Sequence, residues 1–459
     1  MEIVKPQDFV VVAPRPVRRP PQPAVVLILG FAAVIAVGTI VLMLPISSAS
    51  GSWTPLINAL FTATSAVCVT GLVVLDTGTY WSPFGHAFLL LLIQIGGFGF
   101  MTGSTLLLFL LVGRRTGLRD RILVQASTGT PDLGSVGAVV RRVAKFTIVA
   151  EGIGAILLTI AFLGHGRGAI ESVWFGVFHS VSAFNNAGFD LFGEFRSLTG
   201  FTSDALLLIT IGVLIVLGGL GFAIVGDVAG KRGWARLAVE TKIVLLTTLA
   251  ILVFGSIAFG IFEWNNPETL GALPEIQRPL NAVFETTTLR TAGFSSLPTS
   301  SLLEPTLFVV MAMMFIGGAS GSTAGGIKVN TFSVLFVAIL STARGLPSAE
   351  AFGRRIPHIV IYRALSVALL SIAAVFVVAL GLELTVRADF VQVLFEAISA
   401  VGTVGASTGI TPDLPDPSKL LVALAMFAGR LGPLTLVLAL AARARPVSHR
   451  PAVEVMRIG

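Results

Sequence analysis

The chain of 459 residues is 54% hydrophobic and only 12% charged, with a mean hydropathy of +0.91. Soluble domains carry about 25% charged residues, so a soluble enzyme or binding domain is excluded and an integral membrane protein is left. The net charge of +7 suits cytoplasmic loops against anionic lipid headgroups rather than nucleic acid. The lone cysteine, Cys68, excludes an internal disulfide and a multi-thiolate metal site.

A basic tail over 1–23 leads into an apolar run, 24–46, too long for a signal h-region and without a clear small-residue cleavage site, which predicts a retained first span. Seven further apolar stretches follow, at 87–112, 143–163, 205–229, 243–263, 306–340, 359–384 and 419–442. Each approaches or exceeds the ~20 residues that a membrane crossing needs. Taken in pairs, they predict four pore repeats, 24–112, 139–229, 239–340 and 358–442, and a tail over 443–459.

Inside each pair a short apolar stretch runs through a Phe into a Gly-ended loop: Phe61 to Gly71, Phe178 to Gly188, Phe284 to Gly293 and Phe395 to Gly405. The Phe-to-Gly spacing is the same in three copies and one residue shorter in the third. A repeat at this period is an architecture. The predicted fold class is all-α integral membrane, with eight transmembrane spans in four span–pore-helix–loop–span repeats around a pseudo-fourfold pore. Lys and Arg concentrate in the tails and in the links between pairs (Arg114, Arg115, Arg141, Lys231, Arg236, Arg344, Arg354), and none lies between Gly51 and Leu111. By the positive-inside rule both termini and all three links are cytoplasmic and the four loops enter from outside. An even number of spans per pair makes the repeats parallel, related by an axis along the membrane normal.

Non-helical backbone at membrane depth is tolerated only where protein surrounds it or it lines a wet cavity. The loops end in Val69-Thr70-Gly71, Asn186-Ala187-Gly188, Thr291-Ala292-Gly293 and Thr403-Val404-Gly405. A Gly in each lets carbonyl oxygens turn towards a common axis, where oxygen rings replace the hydration shell of an alkali cation. No carboxylate lies among these twelve residues, which disfavours a divalent ion. A monovalent cation fits, K⁺ ahead of Na⁺. Close helix packing is the competing use of such glycines, and four equivalent copies weigh against it. Cys68, Asn185, Arg290 and Gly402 precede the loop ends and differ from one another, so strict fourfold coordination is not expected.

The second spans carry another repeat: Gly96-Gly97-Phe-Gly99, Gly218-Gly219-Leu-Gly221, Gly317-Gly318-Ala-Ser320 and Gly429-Arg430-Leu-Gly432. Arg430 stands where the other copies have Gly, and an Arg near mid-span should face water or a polar partner. The third copy continues through Gly321, Ser322, Thr323, Gly325 and Gly326. Each Gly costs about 1 kcal/mol relative to Ala in a helix, which predicts a break and an intramembrane loop. No Gly-Lys-Ser/Thr follows at phosphate-loop spacing.

These segments, Val67–Leu72, Asn185–Phe189, Arg290–Phe294 and Gly402–Gly409 together with Phe315–Thr331 and Gly429–Leu436, resemble the KtrB/TrkH-type potassium-translocating subunits of the superfamily of K⁺ transporters over nearly the whole chain. Only one span precedes the first loop, and TrkH-type members usually carry an extra N-terminal pair, so KtrB is the closer likeness. The resemblance implies filter glycines at Gly71, Gly188, Gly293 and Gly405, and K⁺ as the permeant ion with no cofactor. It also implies a gate formed by the loop of repeat 3 with Arg430 beside it. A homodimer in the bacterial plasma membrane, docked on a cytosolic KtrA/TrkA-type ring of RCK domains, completes the expectation.

Other ionisable residues have bland alternatives. Glu151, inside the third span, is either an ion or proton relay or a buried partner of a polar group. Asp190, after the second filter Gly, either concentrates cations at the outer mouth or is a solvated loop residue. Glu285 and Glu396 lie in pore helices, where capping or pairing with Arg290 suffices. The five histidines show no metal-ligand spacing. A Na⁺- or H⁺-coupled secondary transporter is the alternative function, although its usual sign is inverted rather than parallel repeats. No catalytic constellation is present, and the chain is not expected to be an enzyme.

Overall fold

A computed structural model of the chain describes residues 23–113, 136–231 and 233–432. The basic tail, most of the first link, the predicted tail 443–459 and the latter half of the predicted span 419–442 lie outside the described residues. Fourteen α-helices follow one another in the described chain: α1 Pro23–Met43, α2 Leu56–Cys68, α3 Thr77–Tyr80, α4 Pro83–Gly113, α5 Val136–Gly164, α6 Ala169–Phe184, α7 Ala205–Gly230, α8 Val239–Glu263, α9 Arg278–Thr288, α10 Glu304–Met314, α11 Val329–Ala343, α12 His358–Glu383, α13 Phe390–Gly402 and α14 Asp416–Leu431. One antiparallel hairpin, β1 Glu350–Ala351 with β2 Arg354–Arg355, lies in the third link, with Glu350 opposite Arg355.

Among these helices α1, α5, α7, α8 and α12 are long and apolar enough to cross a membrane. Their outward faces carry large apolar side chains such as Leu29, Ile148, Phe254 and Phe376, all more than half exposed. A soluble fold would cover surface of that extent; lipid covers it here. The short helices α2, α6, α9 and α13 are the predicted pore helices, and they lie in the protein interior. Phe61, Phe178, Phe284 and Phe395, the residues that marked the repeat, are all buried and pack into the cores around them.

The stretch 306–340 is not one continuous helix. It forms α10, a loop over 315–328 and α11, for the reason its glycines suggest: a helix cannot be sustained at low cost through Gly317–Gly326. The ends of the break are held together, since Gly317 N–H donates to Ile327 O (2.9 Å) and Val329 N–H to Gly318 O (2.9 Å). The repeat 2 counterpart is milder. α7 carries one non-helical residue, Gly221, at φ 74°, ψ 163°, in a region that residues with a Cβ avoid.

Candidate functional site

Each pore helix ends in the same local structure. Val69, Asn186, Thr291 and Thr403 adopt left-handed φ values of 55°, 57°, 72° and 48°, and two residues later Gly71, Gly188, Gly293 and Gly405 are again positive, at 94°, 70°, 73° and 91°. Positive φ at both positions is a form that residues with a Cβ seldom adopt, so all four loop ends share one unusual backbone course. The middle residue is fixed from the pore helix. Thr70, Ala187, Ala292 and Val404 donate their N–H groups at 2.8 Å to the carbonyls of Ser65, Ser182, Thr288 and Ser399, each four residues after the marker Phe. The one-residue deletion in repeat 3 is absorbed at the loop end, where Gly293 N–H also reaches Thr288 O at 3.2 Å.

The four loops close on one another. A Cβ added to Gly71 would lie 2.5 Å from Ala187 O and 3.2 Å from the Cα of Gly188; one on Gly188 would lie 2.5 Å from Ala292 O and 3.1 Å from the Cα of Gly293. From Gly293 the neighbours are Val404 O (2.7 Å) and the Cα of Gly405 (3.1 Å), and from Gly405 they are Thr70 O and the Cα of Gly71 (3.0 Å). Glycine thus leans on glycine in the cyclic order of repeats 1, 2, 3, 4 and back to 1. Four helix C-termini converge beneath this ring, each carrying a partial negative charge of about half an electron that favours a cation. At the base, the buried hydroxyls of Thr291 and Thr403 have no hydrogen-bond partner among the described residues. Buried polar atoms left unpaired in this way suit a permeating ion or its water.

Behind the ring, the residue after the marker Phe braces the outgoing chain in three repeats. His179 Nε2 accepts Leu191 N–H (3.3 Å). Glu285 accepts the N–H groups of Ser296 (2.6 Å) and Leu297 (3.0 Å), and Glu396 accepts the hydroxyls of Ser407 (2.9 Å) and Thr411. Glu285 therefore does not pair with Arg290. That guanidinium donates from Nη2 to Gly317 O at 2.8 Å instead. Asp190 is half-buried and accepts Phe192 N–H at 3.0 Å. Glu151 is buried against Asn185 Nδ2 (2.9 Å) and Gln94 Nε2 (3.3 Å), a polar triad joining repeats 1 and 2 behind the second loop.

The second-span glycines divide by position. Gly96, Gly218 and Gly429 lie so close to Val67 O, Phe184 O and Val401 O of their own pore helices that a Cβ would overlap; here close packing is the use. Gly97 and Gly318 lie one residue further in, and Arg430 occupies the corresponding place in repeat 4. Its side chain is 1% exposed. Nη1 donates to Thr323 O and Nη2 to Gly96 O (3.1 Å), so one guanidinium ties repeats 1, 3 and 4 together.

The intramembrane loop runs against the inner side of the ring. Thr323 Oγ1 lies 2.9 Å from Asn186 Oδ1 of loop 2, and Gly325 abuts Thr403 and Gly402 of loop 4. Thr323 N–H and Ala319 N–H donate to Gly218 O and Gly219 O (3.2 and 2.8 Å), and Gly221 passes close to Gly321 and Ser322. Gly317, Gly318 and Gly326 form the roots, and Ser320 at the tip is exposed. Of the acceptors expected for Arg430, the structure uses the carbonyl of Thr323. Ser320 is engaged through its N–H with Asn330 Oδ1 (2.9 Å), and the Ser322 hydroxyl has no partner among the described residues.

The twelve loop-end residues, seven of the eight loop residues and Arg430 therefore lie together, while the eighth, Ser320, is at the exposed tip. The partners of Glu285 and Glu396, the brace at His179 and the bond from Arg290 to Gly317 are not among the expectations from sequence. Their common offset from the marker Phe was visible in the sequence for the braces, but the partners were not.

A family model described as TrkH, cation transport protein, matches residues 18–446. The chain is 40% identical over 423 residues to Ktr system potassium uptake protein B of Bacillus subtilis (strain 168), covering 92% of this chain and 93% of that protein. It is 38% identical to the protein of the same name from Vibrio alginolyticus, covering 91% and 90%. It is 36% identical to potassium/sodium uptake protein NtpJ of Enterococcus hirae, covering 93% and 95%. The crystal structure of the potassium transporter TrkH from Vibrio parahaemolyticus superposes with a TM-score of 0.70 at 17% identity, covering 92% of this chain and 85% of that one, a likeness of fold.

Proposed function

The chain belongs to the TrkH family of cation transport proteins, and from that premise we propose that it is the potassium-translocating membrane subunit of a Ktr- or Trk-type uptake system. The carrying observation is the closed ring Gly71, Gly188, Gly293, Gly405. Four parallel repeats, eight spans in all, surround this pore, and both termini and the basic links face the cytoplasm. The twelve loop-end residues bind dehydrated K⁺ through their carbonyls. The loop over 315–328 and Arg430 form the gate beneath. A fixed guanidinium ~4 Å from a permeant cation at an effective dielectric near 20 opposes it by about 4 kcal/mol, which keeps the path closed until the loop and the charge move.

The partners implied are a second copy of the chain and a cytosolic nucleotide-binding ring of the KtrA type, in a bacterial plasma membrane. The names of the B-type relatives, subunits of a lettered system, support the second partner. Purified chain in liposomes tests the whole reading. K⁺ flux should exceed Na⁺ flux, and Arg430→Ala or deletion of residues 320–325 should raise basal K⁺ flux per folded molecule with selectivity intact. Lower flux in both variants refutes the gate. K⁺ entry that stops without a Na⁺ or H⁺ gradient favours the coupled-transporter alternative, for which the dual name of the Enterococcus relative is the one supporting observation.

A further inference from the structure

Repeat 3 departs from its siblings twice. Among the described residues it alone interrupts its second helix with a long loop, and it alone carries a cation before the loop end, Arg290 where the others have Cys68, Asn185 and Gly402. The two departures meet in one hydrogen bond, Arg290 Nη2 to Gly317 O at 2.8 Å. In a continuous helix that carbonyl would accept the N–H of residue 321; the break leaves it to Arg290. Arg430 takes Thr323 O at the other end of the same segment. Two buried guanidiniums from neighbouring repeats thus bracket residues 317–323, with the exposed Ser320 between them.

Arg290 is held lightly for a buried cation. It is 8% exposed, and its Nε has no hydrogen-bond partner among the described residues. Beside it lies a cavity of ≈ 20 Å³, lined largely by the apolar side chains of Ile215, Leu220 and Leu252 with Asn186, Thr287 and Arg290 at its polar side, about the room one water occupies. A group with one strong bond, one idle donor and adjacent space can let go of its partner without leaving a new void.

We propose that Arg290 is a second latch of the intramembrane loop, a positioning residue that fixes its root at Gly317 while Arg430 fixes Thr323. The inference rests on reading the loop as the gate. Opening then breaks a guanidinium–carbonyl bond at each end, and either latch alone leaves a partly restrained loop.

The test is K⁺ and Na⁺ flux per folded molecule of the full chain in liposomes. Arg290→Asn, which installs the residue that repeat 2 carries at this position, should raise basal K⁺ flux about tenfold, the loss of one charge-assisted hydrogen bond. The K⁺/Na⁺ ratio should stay put, the effect should multiply with that of Arg430→Ala, and it should vanish in a chain lacking residues 320–325. Unchanged or lower flux in Arg290→Asn, with raised flux on loop deletion, overturns the latch and leaves the gate standing. Unchanged flux on loop deletion removes the gate reading and the latch with it. An Arg290→Asn increase that persists without the loop places its effect at the filter and also overturns the latch. If neither Arg290→Asn nor Arg290→Gln folds while Arg290→Lys does, the residue only caps the broken helix, and the latch is likewise overturned.

Discussion

Gly188 shows what one hydrogen atom decides at the proposed filter. Its φ of 70° already disfavours any other residue, and a Cβ there would press within 2.5 Å of Ala292 O, the carbonyl of the next repeat. Alanine at any one of the four ring glycines displaces a neighbour's carbonyl rather than its own. Each single substitution should therefore lower the K⁺/Na⁺ permeability ratio by about tenfold or more, corresponding to roughly 1.4 kcal/mol of lost discrimination. Reversal potentials under bi-ionic conditions read this, and four unaltered ratios would remove the filter assignment. Asp190, two residues after Gly188, sets a different expectation. Burial is the main cause that pushes its carboxyl up to about 7, with Asp76 adding to the rise while Phe192 N–H and Arg196 oppose it. Below that pH it is neutral and above it negative, so its attraction for cations appears as pH rises. Apparent K⁺ affinity should improve severalfold between pH 6 and pH 8, and Asp190→Asn should flatten the profile at the weaker, acidic-side value. A pH dependence retained in that variant assigns the effect elsewhere.

At the scale of elements, the contact between α7 and the intramembrane loop is the most sensitive seam. Gly221 sits at φ 74°, and a Cβ would lie 3.1 Å from both Gly321 O and the Cα of Ser322. Gly221→Ala should push the loop from its seat and raise basal flux severalfold without changing selectivity, measured as for the gate variants; a fall in flux would show that the seam serves folding alone. The C-terminal end of α8 is a stability element. Glu263 is 0% exposed and accepts Leu303 N–H (2.9 Å), Asn266 Nδ2 (2.7 Å) and the hydroxyls of Thr269 and Thr306. Glu263→Ala leaves several buried donors unpaired and should cost about 3 kcal/mol or more, seen as a lowered Tm in detergent. Glu263→Gln, which keeps an acceptor, should cost less. An unshifted Tm in the alanine variant would mean that water replaces the carboxylate freely.

At the scale of the whole molecule, the proposed control by a cytosolic ring needs a path to the loop, and a chain of hydrogen bonds offers one. Ser320 N–H donates to Asn330 Oδ1 on α11, and Asn330 Nδ2 donates to Glu240 Oε1 (2.6 Å) at the start of α8, beside the basic second link. A ring docked on such links, as proposed, would act through this chain on the loop tip at Ser320. Nucleotide should therefore change K⁺ flux only when the ring protein is co-reconstituted, and nucleotide-dependent flux from the isolated chain would contradict a separate sensor.

The sequence alone determined a helical membrane protein with several apolar spans, the four Gly-ended loops and the break in repeat 3. Those follow from local rules: apolar length, the steric freedom of Gly71 or Gly188, and the helix-breaking density of Gly317–Gly326. It also marked Arg430, because a lone charge at membrane depth is costly enough to stand out unaided. Tertiary structure decided who meets whom. Nothing near Arg290 in the chain distinguishes pairing with Glu285 from bonding to Gly317 O, because the answer depends on where a broken helix leaves a free carbonyl. Glu285 likewise looks the same in sequence whether it caps, pairs or braces Ser296, and only the packed loop supplies its donors. The ring itself is of this second kind: each glycine is legible locally, whereas the contact from Gly405 back to Gly71, between the fourth repeat and the first, exists only once the chain has closed on itself.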